Sequence, residues 1–369
     1  MAMWPQRELL DRLAIELPIV QAPMAGANDA TLAIAASRGG ALGSIPCAML
    51  APERIEQEVA RFREHAAGPL HLNFFCHLPS PPDPCAEAAW LERLAPFYRE
   101  AGLDPEDAAP AAQRTPFDEV QCALVERLSP EVVSFHFGLP DAPLLARVKA
   151  TGATVMASAT TVAEGRWLAT NGADIVIAQG LEAGGHRGVF LEDTRADTVA
   201  DAMARQPGTF ALVPQLVDAI DRPVIAAGGI GDARGVAAAF ALGACGVQLG
   251  SYYLSTPESL ISDIHRAALT KARDDNTVVT RLFSGRPARS LVNRVIHELG
   301  PLSPTAPPFP TAGGALAPLK QAAEAQGRGD FSSLWAGQAA ALALQGDAET
   351  LTRRLGDETL ARLQTLAPR

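Results

Sequence analysis

Short apolar runs recur along the chain, and most end in glycine, proline or a small polar residue. Eight of them read as buried parallel strands: Ile19–Met24 (IVQAPM), Ala41–Pro46 (ALGSIP), Leu70–Phe75 (LHLNFF), Val132–Phe137 (VVSFHF), Thr154–Ala159 (TVMASA), Asp174–Gln179 (DIVIAQ), Pro223–Gly228 (PVIAAG) and Gly246–Ser251 (GVQLGS). Runs that are apolar on both faces suit strands covered by helices. Helical patterns separate most of them, several with a start signal. Asp232 precedes ARGVAAAFALGA as an N-cap, and Gly243 stands near its end. Thr160 and Thr161 precede VAEGRWLATNGA in the same way, and Asn171-Gly172 turns the chain into the sixth strand. Eightfold alternation of strand and helix predicts an α/β fold, a (β/α)8 TIM barrel. The alternative, an open doubly wound sheet, is expected to carry a glycine fingerprint at its switch point. The nearest candidate, Gly229-Ile230-Gly231, has Arg234 in the last glycine position, so that reading fails there.

Two segments exceed the plain repeat. Cys76 to Pro130 is too long for one helix and contains LPSPPDP and GLDPEDAAP, so a helical insertion or lid over about residues 76–130 is expected after strand three. The chain also continues for 118 residues beyond Ser251, through the Pro-rich GPLSPTAPPFP and into Ala-rich helical sequence. The division expected is a barrel over residues 1–255 and a helical extension over 256–369 that packs back on it.

Composition narrows the function classes. The 369 residues include 31 Lys+Arg and 41 Asp+Glu, a net charge of −10, with 48% hydrophobic residues. That balance excludes a disordered chain and argues against a nucleic-acid binder or a polybasic membrane surface. Gly235–Pro257 lacks charge, but its glycines, Gln248 and Ser251 read as half a helix, a turn and a buried strand rather than a membrane span. Five cysteines without a CxxC pair, and no apolar stretch in Met1–Arg12, suit a cytoplasmic protein. Lysine occurs only at 149, 271 and 320. None lies on an expected strand, which disfavours Schiff-base chemistry.

In a barrel the chemistry stands where strands end. Ala22, Pro23 and Met24 follow strand one; Asn73 lies on strand three, His136 on strand four and Gln179 at the end of strand six. Glycines cluster after strands six, seven and eight, at Gly184, Gly229 and Gly250. Such glycines let backbone N–H groups approach phosphate oxygens, or simply permit tight turns. Asn73, Gln179 and Gln248 are neutral donors and acceptors suited to the edge of a heteroaromatic ring. No metal-ligand spacing accompanies them, so no metal is expected. Glu182, the carboxylate closest to a strand end, sits inside a loop. By period two His136 shares a face with Val132 and Ser134, while Phe135 and Phe137 face the helices. This histidine is either a proton-transfer group at the mouth or a satisfied core residue. His71 lies deeper and reads as structural. His77 is a lid or site candidate, and His186 contacts a phosphate or solvent. His65, His265 and His297 look unremarkable, and Cys47 and Cys76 read as packing residues.

Taken in order, QAPMAG, LNFFCH, FHFG, AQGLEAGGHRG, AAGGI and QLGS resemble the nitronate monooxygenase family, formerly 2-nitropropane dioxygenase, in its class I branch. FSGRPAR, LVNRVIHELGP and DFSSLWAGQAA extend the resemblance over nearly the whole chain. The resemblance implies an FMN-dependent barrel enzyme. It would oxidise alkyl nitronates, such as propionate 3-nitronate, with O2 to a carbonyl compound plus nitrite or nitrate. Its partners would be a small nitronate and O2, with no nucleic acid and no membrane; a homodimer is one assembly open to it. Carried onto this sequence, the FMN contacts are Ala22, Pro23 and Met24 at the ring and Asn73 and Gln179 as amide partners. Gly184, Gly229, Gln248, Leu249, Gly250 and Ser251 take the ribityl chain and phosphate. The catalytic histidine falls on His136, which either takes a proton from a neutral nitroalkane or orients the anionic nitronate. The tail stretch PTAGGALAPLKQ has no aromatic residue where the family often has one, and Lys320 is a candidate for the entrance. The rival expectations are an FMN-dependent NAD(P)H:quinone or enoyl-thioester reductase on the same barrel, or a flavin-binding protein without turnover.

Overall fold

The structure is a computed structural model that describes residues 4–79, 81, 83–108, 114–191, 196 and 198–366. Parts of the expected insertion, namely Ser80, Pro82 and residues 109–113, lie outside the described residues. Eight parallel strands form one sheet: β1 (Ile19–Gln21), β2 (Ser44–Pro46), β3 (His71–Phe75), β4 (Val132–His136), β5 (Thr154–Ala159), β6 (Ile175–Gln179), β7 (Val224–Ala227) and β8 (Gly246–Leu249). Their order is β1-β8-β7-β6-β5-β4-β3-β2. A parallel bridge between Val20 and Leu42, just ahead of β2, joins the two ends and closes the barrel. Each strand coincides with one of the eight apolar runs. Four of them, β1, β4, β7 and β8, end one to three residues before their runs do, where Pro23, the left-handed Phe137, Gly228 and Gly250 leave the ladder for the loops.

The strands are buried on both faces because helices cover the outside. The expected caps form: Asp232 accepts from the Arg234 and Gly235 N–H groups, and Thr161 Oγ1 accepts from the Glu164 N–H. At the bottom, helix Glu8–Leu13 turns Leu9, Leu10 and Leu13 into the barrel floor. Gly246 is required there, since a Cβ would come within 2.4 Å of Leu9. The closing helix Ala348–Leu366 packs between Ala30–Arg38, which follows β1, and Ala233–Ala241, which follows β7, and so takes the eighth place in the outer ring. No described helix is long and apolar enough to cross a membrane.

The insertion and the tail meet over the other end. Helix Pro84–Ala101 buries Trp90, Leu94, Phe97 and Tyr98 against Leu282, Phe283, Val295, Ile296, Leu316, Leu319 and Phe331. Two polar tips complete the joint: Trp90 Nε1 donates to the Ala312 carbonyl at 3.0 Å and the Tyr98 hydroxyl to that of Ala315 at 2.6 Å. The tail is not helical throughout. β9 (Thr277–Thr280) and β10 (Ala288–Leu291) form an antiparallel pair, and Gly185–His186 joins as a third, two-residue strand. The β-branched TVVT and the SGRP turn, with Gly285 in the left-handed region, explain the hairpin. Through it the tail grips the glycine loop that follows β6.

Candidate active site

At the C-terminal end of the strands lies a cavity of about 560 Å³, within the range usual for small-molecule sites. All twelve residues singled out at the strand ends line it: Ala22, Pro23, Met24, Asn73, His136, Gln179, Gly184, Gly229, Gln248, Leu249, Gly250 and Ser251. Their side chains have different freedoms.

Below the cavity floor runs a chain of buried hydrogen bonds. His71 lies between the Ser44 and Ser134 hydroxyls at 2.6 Å each, and Asn73 Nδ2 donates to Ser134 Oγ at 2.8 Å. Burial pushes the His71 pKa down to about 3, so this ring is a neutral strut that fixes Ser134 and, through it, Asn73. Gln179 is also committed. Its Oε1 accepts from the Gly188 N–H at 2.8 Å and its Nε2 donates to the His186 carbonyl at 2.9 Å. Behind it, Arg187 is 1% exposed and donates to the Gln179 and Gly180 carbonyls at 2.8 and 2.6 Å. Gln179 therefore shapes the loop as well as the wall. Gln248 is different, because its buried Oε1 has no hydrogen-bond partner among the described residues. A buried acceptor left open toward a cavity is costly unless a ligand donor meets it.

His136 closes β4, paired in register with Phe75 of β3. Its Nε2 lies 3.2 Å from the His186 carbonyl, which can only accept, so Nε2 carries the proton. Nδ1 then accepts from Ser158 Oγ at 3.1 Å. Burial lowers its pKa to about 4, helped by the positive charges of Arg286 and Arg187 and opposed by the His186 carbonyl. The ring is thus a neutral N–H donor at neutral pH. Gly188 presses on it, since a Cβ there would stand 2.8 Å from its Cε1.

Beyond His136 the strand period fails. Phe137 has a φ of 71° and Gly138 one of 95°, both left-handed. The turn swings Phe137 away from the helix layer and into an aromatic cluster at the mouth with Phe75, His77, His136, His186 and Phe309. Sequence period alone put Phe137 on the wrong face. Other residues went unseen. Ser158 sits at a strand end in TVMASA and was open to the same reasoning as Asn73. His265 looked unremarkable, yet it lines the cavity and bonds the Trp335 carbonyl at 3.1 Å. His186 is half-buried and lines the cavity too, with its Nε2 paired to Ser284 Oγ at 2.7 Å. Lys320 does line the cavity.

The glycine-rich end is framed by main chain. Gly228 and Gly229 are left-handed, with φ of 107° and 70°. A Cβ on Gly184 would meet the Gly337 backbone nitrogen at 2.6 Å, and Gly337 N donates to Ser251 Oγ at 2.8 Å. A tail residue therefore completes the frame begun by the loops after β6, β7 and β8.

The model of the nitronate monooxygenase family matches residues 6–357. The chain belongs to that family. It is 40% identical to the nitronate monooxygenase of Pseudomonas aeruginosa over 352 residues, covering 94% of this chain and 97% of the relative. Among solved structures, the nitroalkane oxidase of Streptomyces ansochromogenes superposes with a TM-score of 0.85 at 36% identity, over 97% of this chain and 99% of that one. FabK of Thermotoga maritima follows at a TM-score of 0.70 and 26% identity, over 99% of both chains. As a nitronate monooxygenase family member the chain is an oxidoreductase, and the cavity described above is the candidate seat of its chemistry.

Proposed function

We propose that this protein binds FMN in the mouth cavity and oxidises alkyl nitronates with O2, releasing a carbonyl compound and nitrite or nitrate. The observation that carries the reading is the state of His136: a neutral N–H donor at the edge of an amide-lined cavity. Among the described residues no group of His, Cys, Asp and Glu could hold a metal. The residues fit a flavin. The open Gln248 Oε1 suits a ring N–H, Ala22, Pro23 and Met24 supply a flat apolar wall, and the frame of Gly184, Gly229, Gly250 and Ser251 suits a ribityl chain and phosphate. Bound there, FMN would supply the electron acceptor between the nitronate and O2.

The chain's own residues bind and orient. His136 Nε2–H is held by a long contact to the His186 carbonyl, for which an anionic nitronate oxygen competes. Ser158 occupies Nδ1, so the imidazole lacks a free lone pair for a carbon-bound proton. This favours the orienting role over the base role, and an anionic nitronate over a neutral nitroalkane. Phe137, 4.5 Å from the imidazole and 6.1 Å from Phe309, gives the donor an apolar flank. Oxygen uptake by the FMN-loaded protein with propionate 3-nitronate tests the reading. Consumption with release of nitrite or nitrate is expected. No uptake, together with rapid anaerobic bleaching by NADH, would replace it with the reductase reading to which the FabK likeness points.

A further inference from the structure

Four side chains of unambiguous charge line the cavity: Arg114, Glu182, Lys320 and Glu324. Three are answered within the protein. Glu182 accepts from the Thr209 N–H at 2.8 Å and from Thr209 Oγ1 at 3.0 Å. Lys320 lies 3.9 Å from Glu324, which also accepts from Ser332 Oγ at 2.7 Å. Arg114 is the exception. No carboxylate pairs with it among the described residues, and its buried Nε has no hydrogen-bond partner.

Its position is nonetheless fixed. His77, 4% exposed, donates from Nε2 to the Arg114 carbonyl at 2.9 Å. The guanidinium lies 5.3 Å from the centre of the Phe309 ring. Arg286 stacks at 4.2 Å on Phe137 and at 5.6 Å from the same Phe309, and Phe137 lies 4.5 Å from the His136 ring. Two cations thus share an aromatic wall one ring away from His136. A half-buried guanidinium without a counter-charge is costly, and it is sustained where a ligand brings the charge. A planar fork of donors matches a carboxylate. With a net charge of −10 on the whole chain, an anionic substrate also needs such a local cation.

We propose that Arg114, backed by Arg286 across Phe309, anchors a carboxylate at the end of the substrate remote from its nitronate group. The residue would then select doubly anionic nitronates over those with an uncharged chain. The assignment rests on the nitronate reading above.

The test uses the FMN-loaded enzyme with propionate 3-nitronate and butyl nitronate. In Arg114→Gln the ratio of kcat/KM for the carboxylated over the uncharged substrate should fall about 10- to 100-fold, mostly through KM, and Arg114→Lys should recover part of it. Succinate should inhibit the wild type competitively against butyl nitronate, a measurement that needs no variant. An unchanged ratio at normal FMN content overturns the anchor while leaving the nitronate reading intact. So does loss of FMN from Arg114→Gln with both substrates falling together, and so does a wild type indifferent to succinate. A wild type that consumes neither nitronate removes the nitronate reading itself, and the anchor with it.

Discussion

The barrel wall and the cap over its mouth are built in different ways, and the site draws on both. The wall is periodic: eight short runs, paired in register, bring Asn73, His136, Gln179 and Gln248 around one cavity. The cap is aperiodic. The helix Pro84–Ala101 and the tail, separated by almost two hundred positions, bury one cluster around Trp90 and Tyr98. The wall supplies the donor, His136, whereas the cap and its loops supply Phe309, Trp335, Arg114 and Lys320 around the opening. This division suggests that reaction type belongs to the wall and substrate choice to the cap.

The strongest way to break that division is to loosen the cap alone. Trp90 is fully buried and Trp→Ala in such a core costs about 3–5 kcal/mol. Hydrogen exchange in Trp90→Ala should accelerate over Pro84–Ala101 and Ala317–Glu324 while β4 to β6 stay protected. Uniform acceleration across both regions would mean that cap and barrel unfold as one unit. Next in size is the wall itself. His136→Asn should keep FMN but lose at least about 100-fold in kcat on every nitronate, charged or not. A variant that lost only its preference for carboxylated substrates would place His136 on the side of substrate choice and erase the contrast with Arg114.

The same division explains what could be read from the sequence. The wall was legible because burial on both faces forces continuous apolar runs, and the turns that end them need glycine or proline. The strand-end residues followed from the runs, which is why Asn73, His136 and Gln248 could be named before their surroundings were known. Period two then failed at Phe137, where a positive φ overrides the pleat. The cap was legible only as excess length. Arg114 follows a Pro- and Ala-rich stretch with no pattern, and its partner Phe309 is far away in sequence. His265 shows the same limit, because its place in the cavity depends on how the tail folds back. The tail hairpin carried a usable signal, TVVT and SGRP, beneath an Ala-rich composition that suggested helix.

A smaller perturbation addresses the seam between the two regions. Gly188 belongs to the loop that the tail hairpin grips, and it touches His136. In Gly188→Ala the new methyl would displace the imidazole by tenths of an ångström. That should lower kcat about 10-fold with little change in melting temperature, since positioning errors cost rate before stability. Equal kcat in the variant would show that His136 tolerates more freedom than its two hydrogen bonds suggest.

The smallest expected effect is a flat line. An exposed histidine with an ordinary pKa of about 6.5 would be mostly protonated at about pH 6. With its pKa pushed down to about 4 by burial, His136 is almost wholly neutral there. Oxidation of a pre-formed nitronate should therefore vary less than about twofold between about pH 6 and pH 8, with no inflection near 6.5. For stability the sign is fixed by the same shift. The native state resists a proton that the unfolded chain accepts, so the contribution is complete above about pH 6.5 and lost as pH falls toward 4. The cap reaches this ring through Phe309, which packs on Phe137, which in turn packs on the imidazole. Trp90→Ala, by loosening the cap, should move the inflection upward into the measured range, while Arg114→Gln should not. An inflection near 6.5 already present in the wild type would mean that His136 is solvated at the open mouth, and that the cap contributes nothing to its protonation state.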